Sequence, residues 1–220
     1  MAALLLVAAA PGVWAHETIT TKLTWTRDIQ RIFIKRCMSC HQAGGAAPFA
    51  LSSWKEARPW AVAIREEVAA RRMPPVNTVK GFGDFRDDPA LTQEEIQLIM
   101  DWANGGAPEG DPRLESDELP RLWNAGQAPE GERIVVRGTA AVKKSVRLVG
   151  LVAPGLGEGV ELQAVLERPD GSLEPLAWIK DYRRAWARPL VFREPVEAPA
   201  GSRIRVLGAA GAVVEVVVAE

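Results

Sequence analysis

The pattern of apolar and polar positions divides the chain into two parts of different character. From residue 23 to 110, apolar residues recur three or four positions apart, which is typical of amphipathic helices. From 132 to 220, short β-branched runs alternate with Pro- and Gly-containing turns, which is typical of antiparallel strands. Residues 111–131 are rich in proline and acidic residues and are predicted to form an extended, irregular linker. The pattern therefore predicts a multidomain α + β protein, with a small all-α domain followed by an antiparallel β-sandwich.

Local signals place the ends of the predicted helices. Thr26, Ser53 and Thr92 are candidate amino-terminal caps, and the last two are each followed by a glutamate that completes a capping box. Pro59 is expected to kink or restart the second helix, because proline cannot donate to the preceding turn. Gly105 is expected to end the third helix.

The second part contains several short runs with strand character and no alternation with helices. A nucleotide-binding α/β fold is therefore not expected. The predicted strands are 133–136, 146–152, 160–166, 177–180, 204–207 and 213–218.

The first fifteen residues have the composition of an export signal. Residues 1–10 are almost entirely apolar, and Val13-Trp14-Ala15 is a small-x-small cleavage site, so residues 1–15 are predicted to be a signal peptide. The apolar run is too short to span a bilayer, and no basic residue precedes it. A retained amino-terminal anchor is the alternative. We expect a periplasmic or otherwise exported protein, bound to a membrane only if this leader is retained.

Charge and cysteine content narrow the range of functions. The chain has 27 basic and 28 acidic side chains, and this balance predicts no nucleic-acid partner. It has two cysteines, Cys37 and Cys40, so no disulfide framework beyond that one pair can form.

The two cysteines lie in the sequence Cys37-Met38-Ser39-Cys40-His41, which has the C-x-x-C-H spacing of covalent haem attachment. Thiols three positions apart can form thioethers with the two vinyl groups of one haem, and the next residue then projects its imidazole at the iron. The motif predicts one haem c, bound covalently through Cys37 and Cys40, with His41 as the proximal ligand.

Three other interpretations of Cys37, Cys40 and His41 have less support. A structural zinc site needs four ligands, and residues 42–220 contain neither histidine nor cysteine. A thioredoxin-like redox pair needs a βαβ context that the pattern does not predict. A plain disulfide would leave His41 unexplained.

The distal ligand is predicted from the few remaining candidates. Met73 follows a helix and precedes two prolines, which would hold its loop stiffly. Met38 lies between the two attachment cysteines and cannot fold back over the iron. Met100 belongs to the apolar stripe of its helix and is assigned to core packing. His16 would be the amino-terminal residue after cleavage and is the competitor. The other interpretation is that Met73 is an ordinary methionine at a helix end, which fills space between neighbouring side chains and binds no iron.

Residues that support the haem are less clearly marked. The carbonyl of Pro48 or a neighbour could accept from the second ring nitrogen of His41 and orient the ring. The candidates to contact the haem propionates are Arg58, Trp60, Arg71 and Arg72. For the arginines among them, a solvated helix face is an equally good explanation.

The stretch from residue 24 to 112 resembles a bacterial c-type cytochrome domain. Recurring phrases carry this resemblance, namely Arg36–His41, Ala47-Pro48-Phe49, Ala57–Trp60, Arg72–Pro75, Leu91–Glu95 and Gly106–Asp111. The resemblance implies haem c with His41 and Met73 as axial ligands. Similar domains are often found next to ascorbate-dependent type II copper monooxygenase-like domains.

The carboxyl-terminal region resembles the last domain of those copper monooxygenases more loosely. Its phrases are Val146–Gly150, Arg168–Gly171 and Pro199–Ile204. In that family a His-x-His pair follows the first phrase and a methionine ligand comes later. Here residues 151–157 contain no histidine and the last methionine is Met100, so the resemblance implies a domain without a copper site.

Taken together, these patterns predict a monohaem cytochrome that carries single electrons between periplasmic redox partner proteins and is not itself an enzyme. The β domain would be a docking or spacer module. The alternative is a haem-containing subunit of a peroxidase- or oxygenase-like oxidoreductase, or a haem-based sensor. Either alternative needs an open position on the iron.

Overall fold

A computed structural model of the protein describes residues 22–219. Within them, helices occupy the first half and strands the second. A turn of π-helix, Trp25–Ile29, leads into the first of four helices, which are α1 (Gln30–Arg36), α2 (Trp54–Ala57), α3 (Ala61–Ala69) and α4 (Gln93–Asn104). The strands are β1 (Glu132–Val136), β2 (Thr139–Ala141), β3 (Val146–Val152), β4 (Leu162–Glu167), β5 (Leu173–Ile179), β6 (Leu190–Ala198), β7 (Arg203–Leu207) and β8 (Val214–Val218).

The helix α4 begins and ends where its sequence predicts. The Thr92 hydroxyl accepts from the Glu95 amide at 3.1 Å, and the Glu95 carboxylate accepts from the Thr92 amide at 2.8 Å. This reciprocal pair satisfies two amide donors that the first turn leaves free. The helix ends before Gly105. Pro59 also acts as predicted, because a 3₁₀ turn separates α2 from α3 there.

The predicted cap at Thr26 is wrong. The residue that precedes the first turn is Thr24, whose amide donates to the Asp28 carboxylate at 2.8 Å. Thr26 lies inside that turn and is buried, and its hydroxyl has no hydrogen-bond partner among residues 22–219. Both residues are threonines in similar surroundings, and the sequence does not distinguish them.

Aromatic packing holds the helical half together. Trp25, Phe33 and Trp102 are fully buried, with ring centroids 4.8 to 6.2 Å apart and edge-on or tilted rings. Such pairs stabilise a core beyond their area alone. Met38, which directly follows Cys37, is fully buried in the same cluster and anchors the cysteine turn to this core.

The second half is a β-sandwich-like pair of antiparallel sheets. One has the strand order β1-β8-β3-β6 and the other β2-β7-β4-β5. Inward side chains alternate with outward ones, as in β4, where Leu162, Ala164 and Leu166 are buried and the residues between them are not. This confirms the predicted sandwich in its general form.

Two of the eight strands were not predicted, and two others begin two or more residues away from their predicted starts. The strand β2 has only three residues. The strand β6 carries Pro195 and three charged residues, which argue against a strand in sequence. It lies at a sheet edge, and its pairing with β3 shifts register between Leu148 and Gly150, so proline is tolerated there. The strand β5 begins at Leu173, four residues before its predicted start, and β4 begins two residues late.

A segment of the first half pairs with one edge strand of each sheet. We call residues 77–86 the edge segment. The Val79 amide donates to the Trp178 carbonyl of β5 at 2.9 Å, and the Arg86 amide donates to the Val191 carbonyl of β6 at 2.8 Å. Phe85 is buried in the sandwich core and stacks on Phe192 at 5.5 Å. The helical half therefore supplies part of the sandwich core and covers two edges that could otherwise pair with other chains.

Gly83 allows the edge segment to approach β5 closely, and this gives a stability prediction. A Cβ atom there would lie 2.2 Å from the Leu176 carbonyl oxygen, and φ is +80°. Gly81 has a similar φ of +92° but no atom within 4 Å of its Cβ position. We expect Gly81→Ala to cost about 1–2 kcal/mol from backbone strain alone. Gly83→Ala should cost about 1–3 kcal/mol more because of the clash.

Urea unfolding of the two glycine variants, followed by circular dichroism, measures this difference. Equal losses of unfolding free energy would show that the edge segment does not need its close approach to β5.

The linker, residues 111–131, has one 3₁₀ turn at Pro112–Leu114 and otherwise no helix or strand. It packs along the helical half through specific bonds. The Glu115 carboxylate accepts from the Trp25 indole at 2.9 Å and from the Trp54 amide at 2.8 Å. Across residues 22–219, no helix has the length and apolar character needed to cross a membrane.

Candidate functional site

The C-x-x-C-H segment forms a compact turn at the end of α1. The amides of Cys40 and His41 both donate to the Cys37 carbonyl, at 3.1 and 2.9 Å. Gly45 packs against this turn so closely that a Cβ atom would lie 2.1 Å from the Cys40 carbonyl oxygen. Backbone bonds therefore set the shape of the turn, with Met38 held in the core and Cys37, Cys40 and His41 lining a cleft.

The His41 ring is oriented by a backbone carbonyl, as predicted for a residue next to Pro48. Its Nδ1 lies 3.1 Å from the Phe49 carbonyl oxygen. A carbonyl can only accept, so Nδ1 carries the proton and Nε2 presents a lone pair. Burial lowers the pKa of His41 below its usual value, against the opposing effect of the Phe49 hydrogen bond. Both features suit a neutral imidazole that binds a metal through Nε2.

The two thiols are in surroundings that keep them protonated. Burial raises the pKa of Cys37 to about 12, with a smaller contribution from the nearby Cys40. Burial also raises the pKa of Cys40. Both are free cysteines. A thiol-redox centre relies on a lowered thiol pKa, so these raised values weaken the thioredoxin-like interpretation.

A largely apolar cleft, open to solvent, lies beside the cysteine turn. We call it the central cleft. Apolar side chains of α3 line it, together with the Phe49 ring, which stacks on Trp60 at a centroid distance of 4.4 Å. Its lining includes Cys37, Cys40, His41, Ile64, Val68 and Met73. The four residues predicted to hold a haem therefore all line one cleft.

Met73 lies at the end of a braced loop after α3. Arg72 donates two hydrogen bonds of 2.8 Å to the Glu67 carboxylate, and Arg71 donates one of 2.7 Å to the Gln93 side chain. The Met73 side chain is 38% exposed, whereas Met38 is fully buried and Met100 packs against the helical core. Among the methionines within residues 22–219, Met73 alone lines the cleft.

The second half of the chain and the linker complete the cleft, which the sequence did not indicate. Trp186, in the 3₁₀ turn before β6, and Arg188 line it from the sandwich side, and Trp123 lines it from the linker. The Trp123 amide donates to the Ser39 carbonyl at 2.8 Å, and its ring meets Trp186 edge-on at 5.2 Å. These residues lie more than 80 positions from the motif, and no local pattern marks them.

The arginines of the cleft differ from those proposed from the sequence. Arg58 lies over the Trp54 ring, and neither Arg71 nor Arg72 lines the cleft. The arginines that do line it are Arg36 and Arg188. Of the four sequence candidates, Trp60 is the one in the lining.

These two cleft arginines differ in how they are held. Arg36 is buried and forms a bidentate pair with Glu95. Arg188 donates to the Asp87 carbonyl at 2.9 Å, and burial lowers its pKa.

The residues present fit a haem better than a bare metal ion. Within residues 22–219, no three His, Cys, Asp or Glu side chains are grouped as ligands of one ion. Cys37, Cys40 and His41 therefore line a common cleft without converging on one point. Zinc requires convergence, whereas attachment at three separate points of a flat macrocycle does not. His16, the alternative ligand, lies outside the described residues.

Comparisons of the chain with protein-family models, with curated proteins and with solved structures find no match.

Proposed function

We propose that the protein is a monohaem c-type cytochrome that carries single electrons between redox partner proteins in the periplasm or another exported compartment. One observation carries the proposal. The C-x-x-C-H turn and Met73, which are 32 residues apart, line the same apolar cleft. That lining brings together two thiols, an imidazole and a thioether, which are the protein groups that a His/Met-ligated haem c requires.

In this proposal, Cys37 and Cys40 would hold the haem through thioethers, and His41 and Met73 would bind its iron. The haem supplies an iron that alternates between the ferrous and ferric states. The protein supplies orientation and environment. The Phe49 carbonyl accepts from Nδ1 of His41, which leaves Nε2 free to bind the iron, and hydrogen bonds from Arg72 to Glu67 tie the Met73 loop back to α3. The apolar lining keeps water away, which shifts the reduction potential.

The place of Met73 in the lining supports an electron carrier over an enzyme. A Met73 thioether bound to the iron would leave no open position for peroxide or oxygen, and His/Met ligation would raise the reduction potential. The alternative, a peroxidase-like or oxygenase-like subunit or a sensor, rests on the partial exposure of Met73 and on Glu67, a carboxylate in the lining. That carboxylate is engaged by two hydrogen bonds from Arg72, so it is a poor acid–base group.

Expression in a periplasm equipped with haem-attachment machinery tests the proposal. We expect one haem per chain that stays bound after denaturation. We also expect reversible one-electron reduction and a ferrous form that does not bind carbon monoxide. Absence of covalent haem would refute the proposed function. Covalent haem that rapidly binds carbon monoxide or cyanide would instead favour the sensor or enzyme.

A further inference from the structure

A polar groove beside the central cleft concentrates positive charge. We call it the basic groove. It lies where α1, the edge segment, the linker and the start of β6 meet, and two carboxylates, Asp87 and Asp88, also line it. Its cationic side chains are Lys35, Arg36, Lys80, Arg86, Arg121, Arg188 and Arg193. The whole chain has a formal charge of −1, so the groove owes its charge to local arrangement.

Three of these cations are free to meet a partner. Arg36, Lys80 and Arg193 are ion-paired with Glu95, Asp88 and Asp84. In contrast, the exposed side chains of Lys35, Arg86 and Arg121 form no ion pair with any residue in the described range 22–219. They come from three different segments of the chain, which only the tertiary fold brings to one groove.

The basic groove and the central cleft are continuous. Arg36, Ser39, Pro89, Trp123 and Arg188 line both. A macromolecule seated in the groove would therefore lie against the cleft that contains the cysteine turn. Electron transfer needs such proximity between the two redox centres.

We propose that the basic groove is the docking site of an acidic one-electron carrier protein, an inference that rests on the proposed function. Carboxylates of the partner would pair with Lys35, Arg86 and Arg121. One electron passes between the haem iron and the redox centre of the partner, so that one is oxidised as the other is reduced. A uniform polyanion such as DNA fits less well, because Asp87 and Asp88 lie among the cations. Charge complementarity of this kind mainly accelerates association.

A charge-reversal experiment tests the docking site with two matched variants. The groove variant carries Lys35→Glu, Arg86→Glu and Arg121→Glu. The control variant carries Lys55→Glu, Arg137→Glu and Lys143→Glu, which are exposed cations outside the groove. Both variants change the net charge by the same amount. The first probe is an acidic plant-type ferredoxin, whose binding is measured by calorimetry at low and high salt. This measurement does not need the haem.

We expect the groove variant to bind ferredoxin at least about tenfold more weakly than the wild type, and the control variant to change little. High salt should weaken wild-type binding as well. Equal losses in the two variants would overturn the proposal, because only the overall charge would then matter. A short DNA duplex that bound the groove as tightly as ferredoxin would overturn it too, in favour of a nucleic-acid site.

A second measurement reports on the haem edge. The ferrous protein is oxidised in stopped flow by ferricyanide, an anion, and by tris(phenanthroline)cobalt(III), a cation. The groove variant should react about tenfold more slowly with ferricyanide and faster with the cobalt complex, while the control variant changes neither rate by as much. Unchanged rates would show that the charge of the groove does not affect electron transfer from the haem, and would refute the docking role. Protein that binds ferredoxin through the groove but contains no covalent haem would refute only the proposed function.

Discussion

The double variant Cys37→Ser, Cys40→Ser is expected to retain no haem after denaturation, whereas the wild type retains one per chain. Serine preserves the size of each side chain, but its hydroxyl does not form a thioether with a vinyl group. The backbone bonds from Cys40 and His41 to the Cys37 carbonyl remain, so the turn itself should survive. Haem staining of denaturing gels and the pyridine haemochrome spectrum measure the loss.

The matched control for this variant is Ser39→Ala, within the same turn. The contact of Ser39 with Trp123 uses its backbone carbonyl, which the substitution preserves. We expect full covalent attachment in the control and reduced yield through one thioether in each single cysteine variant. Covalent haem in the double variant would show that the attachment site is elsewhere.

Replacement of Met73 by leucine is expected to open the sixth position of the iron. The reduction potential should fall by on the order of 100 mV, within the range of about 0.8 V that axial ligands span. The direction follows because a thioether stabilises the ferrous state more than water or no ligand does. The ferrous variant should also bind carbon monoxide rapidly and lose the weak red absorption of His/Met-ligated ferric haem. Potentiometric titration and rapid mixing measure these changes.

The same replacement at Met100 is the control for Met73. Met100 packs against the helical core, so Met100→Leu keeps the apolar contact and should leave the potential and the spectrum unchanged. Met73 is 38% exposed, so its replacement should barely affect the unfolding free energy. A potential and spectrum that stay unchanged in Met73→Leu would show that another group, with His16 as the first candidate, is the distal ligand.

The features found correctly from sequence depend on neighbours close along the chain. The Thr92–Glu95 capping box and the break at Pro59 need only a few consecutive residues, and the structure confirms both. The acceptor for His41 was expected to be the carbonyl of Pro48 or a neighbour, and it is that of Phe49. The cap at Thr26 was wrong because two similar threonines compete within one turn.

The features that sequence reasoning missed depend on contacts between distant segments. The strand β6 contains Pro195, and only its place at a sheet edge with an irregular register makes it tolerable. Phe85 belongs in sequence to the helical half but is buried in the sandwich core. Trp186 and Arg188 belong to the strand-rich half but line the central cleft, because the edge segment holds the two halves together.

The sequence by itself determined which reactive groups the candidate site brings together first, because Cys37, Cys40 and His41 lie within one turn of the chain. It also determined the division into helical and strand-rich halves, because each follows from a local period of apolar residues. Only the tertiary structure decided that Met73 shares a cleft with that turn, and that the β half and the linker complete its lining. It also decided the position of the basic groove, whose free cations are scattered along the chain. Such long-range placement depends on how whole elements pack, and no short stretch of sequence encodes it.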